Sequence, residues 1–256
     1  MRSPPDPVPP SGPASLRLGV VGHTSLRPED LPALTASVRA IFSELRGLFP
    51  SVRLQLLSSL AEGADQLCAE AALAAGIDVI APLPFPVELY RTRFRSDAAR
   101  LALDRLARHP AVNAFCLDAG PGATGDFSAM IADDRRRRQR YVDAARHVVQ
   151  RSDALVAVWD EGREPGPSLT AEIVAWRTRA PGGAEAGAAN SAEPGLVFSI
   201  YAPRAGSGPE PGRVPGETRL LAGPGAQGVP RAELLGRLVR ASGVRSPGPG
   251  APAGGS

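Results

Sequence analysis

Residues 56–76 read LLSSLAEGADQLCAEAALAAG, and how this stretch divides decides the fold. Aliphatic residues that run into Ser58 and Ser59 read as a buried strand leaving a sheet, and an apolar period resumes in a helix placed at about residues 61–75. Glu62, Gly63, Ala64 and Asp65 stand at the junction. A turn that only connects two elements needs a Gly, Asn or Pro; it does not need two hydroxyls and two carboxylates crowded against backbone amides. The stretch therefore reads as strand, site-bearing turn and helix.

The same alternation continues on both sides. Short apolar runs at Leu16–Val21, Arg53–Ser58, Asp78–Leu83, Val112–Leu117, Ala154–Trp159 and Leu196–Tyr201 read as strands, and segments of helical period fall between them at about 29–48, 61–75, 87–108, 135–151 and 168–180. This pattern predicts an α/β domain with a doubly wound, mostly parallel sheet and helices on both faces. Leu34, Val38, Ile41, Phe42 and Leu45 recur on one helical face and are expected to pack on that sheet. Residues 118–134, rich in Gly and acids, are expected to form a mobile loop.

Residues 1–14 are Pro-rich and expected to be a disordered lead-in, and the folded core is expected to span 15–204. Residues 205–256 are expected to be a largely disordered Pro/Gly-rich tail with one short helix at 231–240.

The 256 residues carry 29 basic and 26 acidic side chains, and every basic one is Arg. A net charge of +3 is too small to argue for a nucleic-acid partner by bulk electrostatics. The run Arg135–Arg138 with Arg140 follows Asp133 and Asp134 and reads as a solvated helix face, with no aromatic residue interleaved. Cys68 and Cys116 are not spaced as ligands or as a redox pair, and His23, His109 and His147 do not stand at ligand spacing, so no metal and no cofactor are expected. The absence of an apolar run long enough to span a bilayer places the protein in the cytoplasm, off the membrane.

In an open doubly wound sheet, ligands bind beyond the carboxyl ends of the strands. The residues there are Gly22 and His23 after the first strand; Ser58, Ser59, Glu62, Gly63, Ala64 and Asp65 after the second; Pro84 and Tyr90 after the third; and Trp159 and Asp160 after the fifth. Small residues, hydroxyls and a helix amino end suit a phosphate or ribose. Tyr90 is placed to stack on a base, and Trp159 reads as partly core. Helix capping competes with binding for Glu62 and Asp65, and for the Ser168 to Glu172 segment.

The stretches LGVVGHTSL, LSSLAEGADQLCAEAAL, VIAPLPFPVELYRTRF, YVDAARHVVQRSDALVAVWDEG and SLTAEIV followed by LVFSIYAPR, in this order, resemble the bacterial SLOG group across about residues 16–204. That group is a Rossmann-like superfamily related to the Lonely Guy phosphoribohydrolases and to DNA-processing protein A. The resemblance implies a nucleotide pocket, with Gly22, Ser59, Glu62, Gly63 and Asp65 on its first rim and Thr170 and Glu172 on its second. In the enzymes the second segment carries a Gly-Gly-x-Gly-Thr turn and a catalytic Glu. Here the turn reads Gly166-Pro167-Ser168-Leu169-Thr170, and Thr24 stands where an Arg is common in the group.

The leading expectation is thus a non-catalytic domain that senses a nucleotide or nucleotide-derived small molecule. Backbone amides near 58–65 hold the phosphate, Asp160, Thr170 and Glu172 address ribose or base, and the output passes to a homo-oligomer or a separate effector protein. The alternatives are a phosphoribohydrolase that acts through Glu172 with Arg146 or Arg93 on the phosphate, and a single-strand DNA binder that uses Arg135–Arg138.

Overall fold

The computed structural model describes residues 15–117, 127–162, 168–179, 195–223 and 229–241. The lead-in 1–14, most of the expected loop at 118–126 and the last residues of the tail lie outside them. In chain order the elements are β1 (Ser15–Gly22), α1 (Leu31–Leu48), β2 (Arg53–Leu57), α2 (Ala64–Ala74), β3 (Asp78–Leu83), α3 (Val87–Arg91), α4 (Asp97–Ala107), β4 (Val112–Cys116), α5 (Phe127–Ala132), α6 (Asp134–Arg151), β5 (Ala154–Trp159), α7 (Leu169–Thr178), β6 (Leu196–Tyr201), β7 (Thr218–Leu221) and α8 (Arg231–Ala241).

The strands form one sheet in the order β4-β3-β2-β1-β5-β6-β7, parallel except for β7, which pairs antiparallel with β6. This is the Rossmann-like α/β architecture that the alternation predicts. Winding runs outward from β1 to β4, then returns to β5 at the other side of β1, so β1 borders the switch point.

Period two along the strands explains the two cores. Leu16, Leu18 and Val20 of β1, with Ala154, Val156 and Val158 of β5, pack among buried side chains of α1, α2, α4 and α8. Their neighbours Val21, Leu155, Ala157 and Trp159 face the other way, against Ala145 and Val148 of α6 and Ile173 and Val174 of α7. The five apolar residues singled out on α1 are all buried.

Three expectations are corrected. The helix at 87–108 is two helices, because Ser96 takes an extended backbone and its Oγ accepts from the Ala99 amide (3.2 Å), starting α4 afresh. The expected loop at 118–134 contains α5, whose Phe127 packs edge-on against Phe85, with ring centroids 6.4 Å apart. Structure also continues past residue 204. β7 adds a strand to β6, and Leu234, Leu235 and Leu238 of α8 are buried in the core. A four-residue strand in a Gly/Pro-rich context gives too short a period to read, but pairing to β6 supplies its order.

After β6 the chain crosses over the exit of β1. The Ala205 amide donates to the Ser25 carbonyl (3.0 Å), and Leu26 and Arg204 form an antiparallel bridge.

Candidate functional site

Two glycines bring the end of β1 against the start of α2. A Cβ at Gly22 would stand 2.4 Å from the Val158 carbonyl oxygen and 2.5 Å from Ala64 Cβ. One at Gly63 would stand 2.4 Å from the His23 oxygen, and Gly63 has φ +88°, a region that side chains rarely adopt. The Ala64 amide then donates to that His23 oxygen (3.0 Å). This is why α2 begins at Ala64 rather than at 61: the Gly63 conformation is not helical. Just before it, Leu60 has φ 54° with a fully buried side chain, and its amide donates to Ser58 Oγ (3.2 Å).

Glu62, released from the helix, reaches across to the α3–α4 connection. Its carboxylate accepts from the Arg95 amide (2.8 Å) and from Ser96 Oγ (2.9 Å). The capping role considered for it on α2 is thus replaced by a tie to the start of α4.

Asp65 lies in the first turn of α2, 7% exposed, with Oδ2 3.2 Å from Ser58 Oγ. Burial pushes its carboxyl up to about 7, against the opposing hydrogen bonds from Ser58 and from the Ala61 and Ser59 amides. These amides, expected to be free for a phosphate, are therefore already turned to a carboxyl of the chain itself.

A cleft of about 540 Å³ opens beyond the carboxyl ends of the strands. Of the residues expected at the site, Gly22, His23, Ser59, Glu62, Asp65, Pro84, Tyr90 and Thr170 line it. Arginines define its polar side: Arg93 and Arg95 from the α3–α4 connection, Arg137 and Arg138 from α6, and Arg204 from the segment after β6. Arg137 pairs with Asp134, and Arg138 lies 3.3 Å from Glu172. Along α6 the lining passes from Arg137 and Arg138 through Tyr141 to Ala144, Ala145 and Val148, so one helix face runs from cationic to apolar. The other lining at the apolar end comes from β1, including Val20 and Val21, and from Ile173 of α7.

The remaining expected residues are placed differently. Ser58 is fully buried beneath the loop, and Ala64 is packed under Gly22. Tyr90 is only 2% exposed, in edge contact with Phe94 at 5.0 Å, so it forms wall rather than a stacking platform; burial pushes its hydroxyl well up. Trp159 is buried and donates through Nε1 to Ser199 Oγ (3.0 Å), away from the cleft lining. Arg146 stacks on Trp176 at 5.5 Å and does not line the cleft.

Asp160 stands behind the lining. Its carboxylate is 3.0 Å from His23 Nε2 and 2.9 Å from Arg204 Nε. Burial raises its pKa, but the Arg204 bond, the His23 charge and the Gly162 amide outweigh this and hold it below the usual carboxylate range. It fixes two lining side chains. Glu172 also stands outside the lining, at the cleft edge with Arg138, and Ser168 Oγ caps α7 by accepting from the Ala171 amide (3.3 Å).

The Arg135–Arg140 run is not one solvated face. Arg137 and Arg138 line the cleft, and Arg140 is buried, donating to the Pro84 carbonyl (2.9 Å) and the Leu117 carbonyl (2.5 Å). Spacing carried the signal: positions 137, 138, 141, 144, 145 and 148 trace a single helical stripe. Arg93, named above as a phosphate ligand of the hydrolase alternative, lines the cleft, whereas Arg95 had no comparable signal, because a break between helices places it.

Among the described residues, no helix is long and apolar enough to cross a membrane, and no group of three or more His, Cys, Asp or Glu side chains could hold a metal ion.

No protein-family model and no curated protein sequence matches the chain. Among the solved structures similar to it are two of DNA processing protein A. DNA processing protein A from Helicobacter pylori shares 14% identity over 58% of this chain and 56% of its own, with a TM-score of 0.34. DNA processing protein A from Streptococcus pneumoniae shares 18% over 60% and 52%, with a TM-score of 0.31. The chain thus matches little more than half the length of these structures. The sheet order and the helices between its strands make the fold Rossmann-like α/β.

Proposed function

We propose that the cleft binds a nucleotide or nucleotide-derived small molecule without transforming it. One observation carries this reading: a single cleft at the switch point joins an arginine-lined end to an apolar end along the face of α6. Guanidinium groups suit phosphate, and the apolar lining at the other end of the cleft suits a base. The non-catalytic part is supported by Glu172, which is ion-paired with Arg138 at 3.3 Å outside the cleft lining rather than directed at a bound sugar. In this reading the ligand alters self-association or contact with a separate effector protein.

The test is a melting-temperature screen with AMP, GMP, CMP and UMP, followed by a search for free base. A ligand that binds the native state raises the melting point. The expected result is a rise that is lost in the double variant Arg93→Gln/Arg137→Gln, with no base released. Base release that disappears in Glu172→Ala assigns the site to a phosphoribohydrolase instead. The Helicobacter protein is described by its single-stranded DNA binding. Salt-dependent oligonucleotide binding that excludes mononucleotides from the cleft replaces the small-molecule reading with that one.

A further inference from the structure

Asp65 stands where a helix amino end and its loop would hold an anion. Its carboxyl lines the cleft from the first turn of α2, 7% exposed, and accepts from Ser58 Oγ at 3.2 Å and from the Ala61 and Ser59 amides. A phosphate bound there would use the same hydroxyl and amides. The loop is therefore satisfied from within, and a second anion beside it meets a carboxylate. The cations lie elsewhere: Arg93 and Arg95 have no carboxylate partner among the described residues, and Arg93 hydrogen-bonds Tyr141 on α6, which also carries Arg137 and Arg138.

We propose that Asp65 sets the orientation and class of the ligand: the 58–65 loop takes a hydroxyl-bearing sugar that donates to this carboxyl, and the phosphate goes to Arg93, Arg137 and Arg138. The inference rests on the nucleotide reading above and deepens it. It favours ligands with free ribose hydroxyls and disfavours those that present phosphate to the amino end of α2.

Burial pushes Asp65 up to about 7, so its charge changes through the neutral range. Around it, Cys68 on the same helix and Tyr90 on α3 are both pushed up by burial and remain neutral there. Glu62 in the loop is tied to Arg95 and Ser96, His23 after β1 is held by Asp160, and Arg137 and Tyr141 of α6 and Arg204 line the same cleft. Anion affinity is thus expected to fall as Asp65 ionises.

The test uses calorimetry on the full chain and on Asp65→Asn, with inorganic phosphate as one probe and the four nucleoside monophosphates beside their 2′,3′-dideoxy counterparts as the other. The titration of phosphate itself is common to both proteins and cancels in their ratio. At about pH 8, Asp65→Asn is expected to bind phosphate at least about tenfold tighter than the parent, and at about pH 5.5 the two are expected to agree. The parent is expected to prefer the ribonucleotide to its dideoxy form by about fivefold or more, and Asp65→Asn to lose most of that preference. Arg137→Gln, an exposed-end change that spares the loop, is expected to weaken all phosphate-bearing probes and keep the hydroxyl preference. Equal phosphate affinities at pH 8, or an unchanged preference in Asp65→Asn, overturns the inference while leaving nucleotide binding intact. Failure of all four nucleotides to bind either protein overturns both.

Discussion

A carboxyl that is buried and still holds its proton near neutrality makes stability depend on pH in a stated direction. The Asp65 carboxyl is pushed up to about 7 by burial, whereas in the unfolded chain it ionises near the ordinary value of about 4. Between these values the folded state keeps a proton that the unfolded state gives up. Its contribution is therefore full below about pH 4, declines as pH rises, and is lost once pH has passed through about 7. At about 1.4 kcal/mol per pKa unit, the upper bound of the effect is on the order of 4 kcal/mol. Asp65→Asn is expected to flatten this decline, which denaturant titrations at pH 5 and pH 8 check. Gly63 gives a second outcome at this scale. With φ +88° and the His23 oxygen 2.4 Å from a built Cβ, Gly63→Ala is expected to cost about 2 kcal/mol or more, read as a lower denaturant midpoint. The sequence made Glu62, Gly63 and Asp65 conspicuous by chemistry alone. It did not say which acid turns inward, because that depends on the backbone of Gly63 and on burial contributed by α3.

Helices α3, α4 and α6 show how an element acquires a function its composition hides. Glu62, through the Arg95 amide and Ser96, fixes the break that sets Arg93 and Arg95 at the cleft. On α6, adjacent arginines have unlike roles, since a helix turns each successive residue by about a hundred degrees. Arg140 is expected to be the costly one: Arg140→Ala takes the guanidinium donor from the Pro84 and Leu117 carbonyls and opens a cavity, for a loss of about 2–4 kcal/mol. Arg136→Ala, on an exposed position paired with Asp133 at 4.0 Å, is expected to stay within about 0.5 kcal/mol. Thermal melts of the two single variants, side by side, check the contrast. A count of charges along the sequence treats these arginines alike; the helical period separates them once the core face is known.

For the molecule as a whole, the parallel sheet was legible because each of its central strands is a short apolar run between helical periods, and the two-sided cores follow from the alternation along β1 and β5. Past residue 204 the short helix was legible, but β7 and the docking of that helix into the core were not. β7 is four residues long, and α8 offers an apolar face of Leu234, Leu235 and Leu238 whose docking partner is in the distant core. A chain ended at residue 204 is expected to expose β6 as a bare edge and to uncover that core; poor soluble yield and a lowered melting point of the truncated chain, relative to the full one, check this. The crossing at Ser25, Leu26 and Arg204 has a consequence in time. Because a segment near residue 25 is clasped by one near 205, a chain emerging from the ribosome carries the first wall of the cleft long before the clasp exists. Under the proposed function, ligand recognition therefore belongs to a late stage of maturation, and a nascent chain stalled halfway is expected to be blind to the ligand.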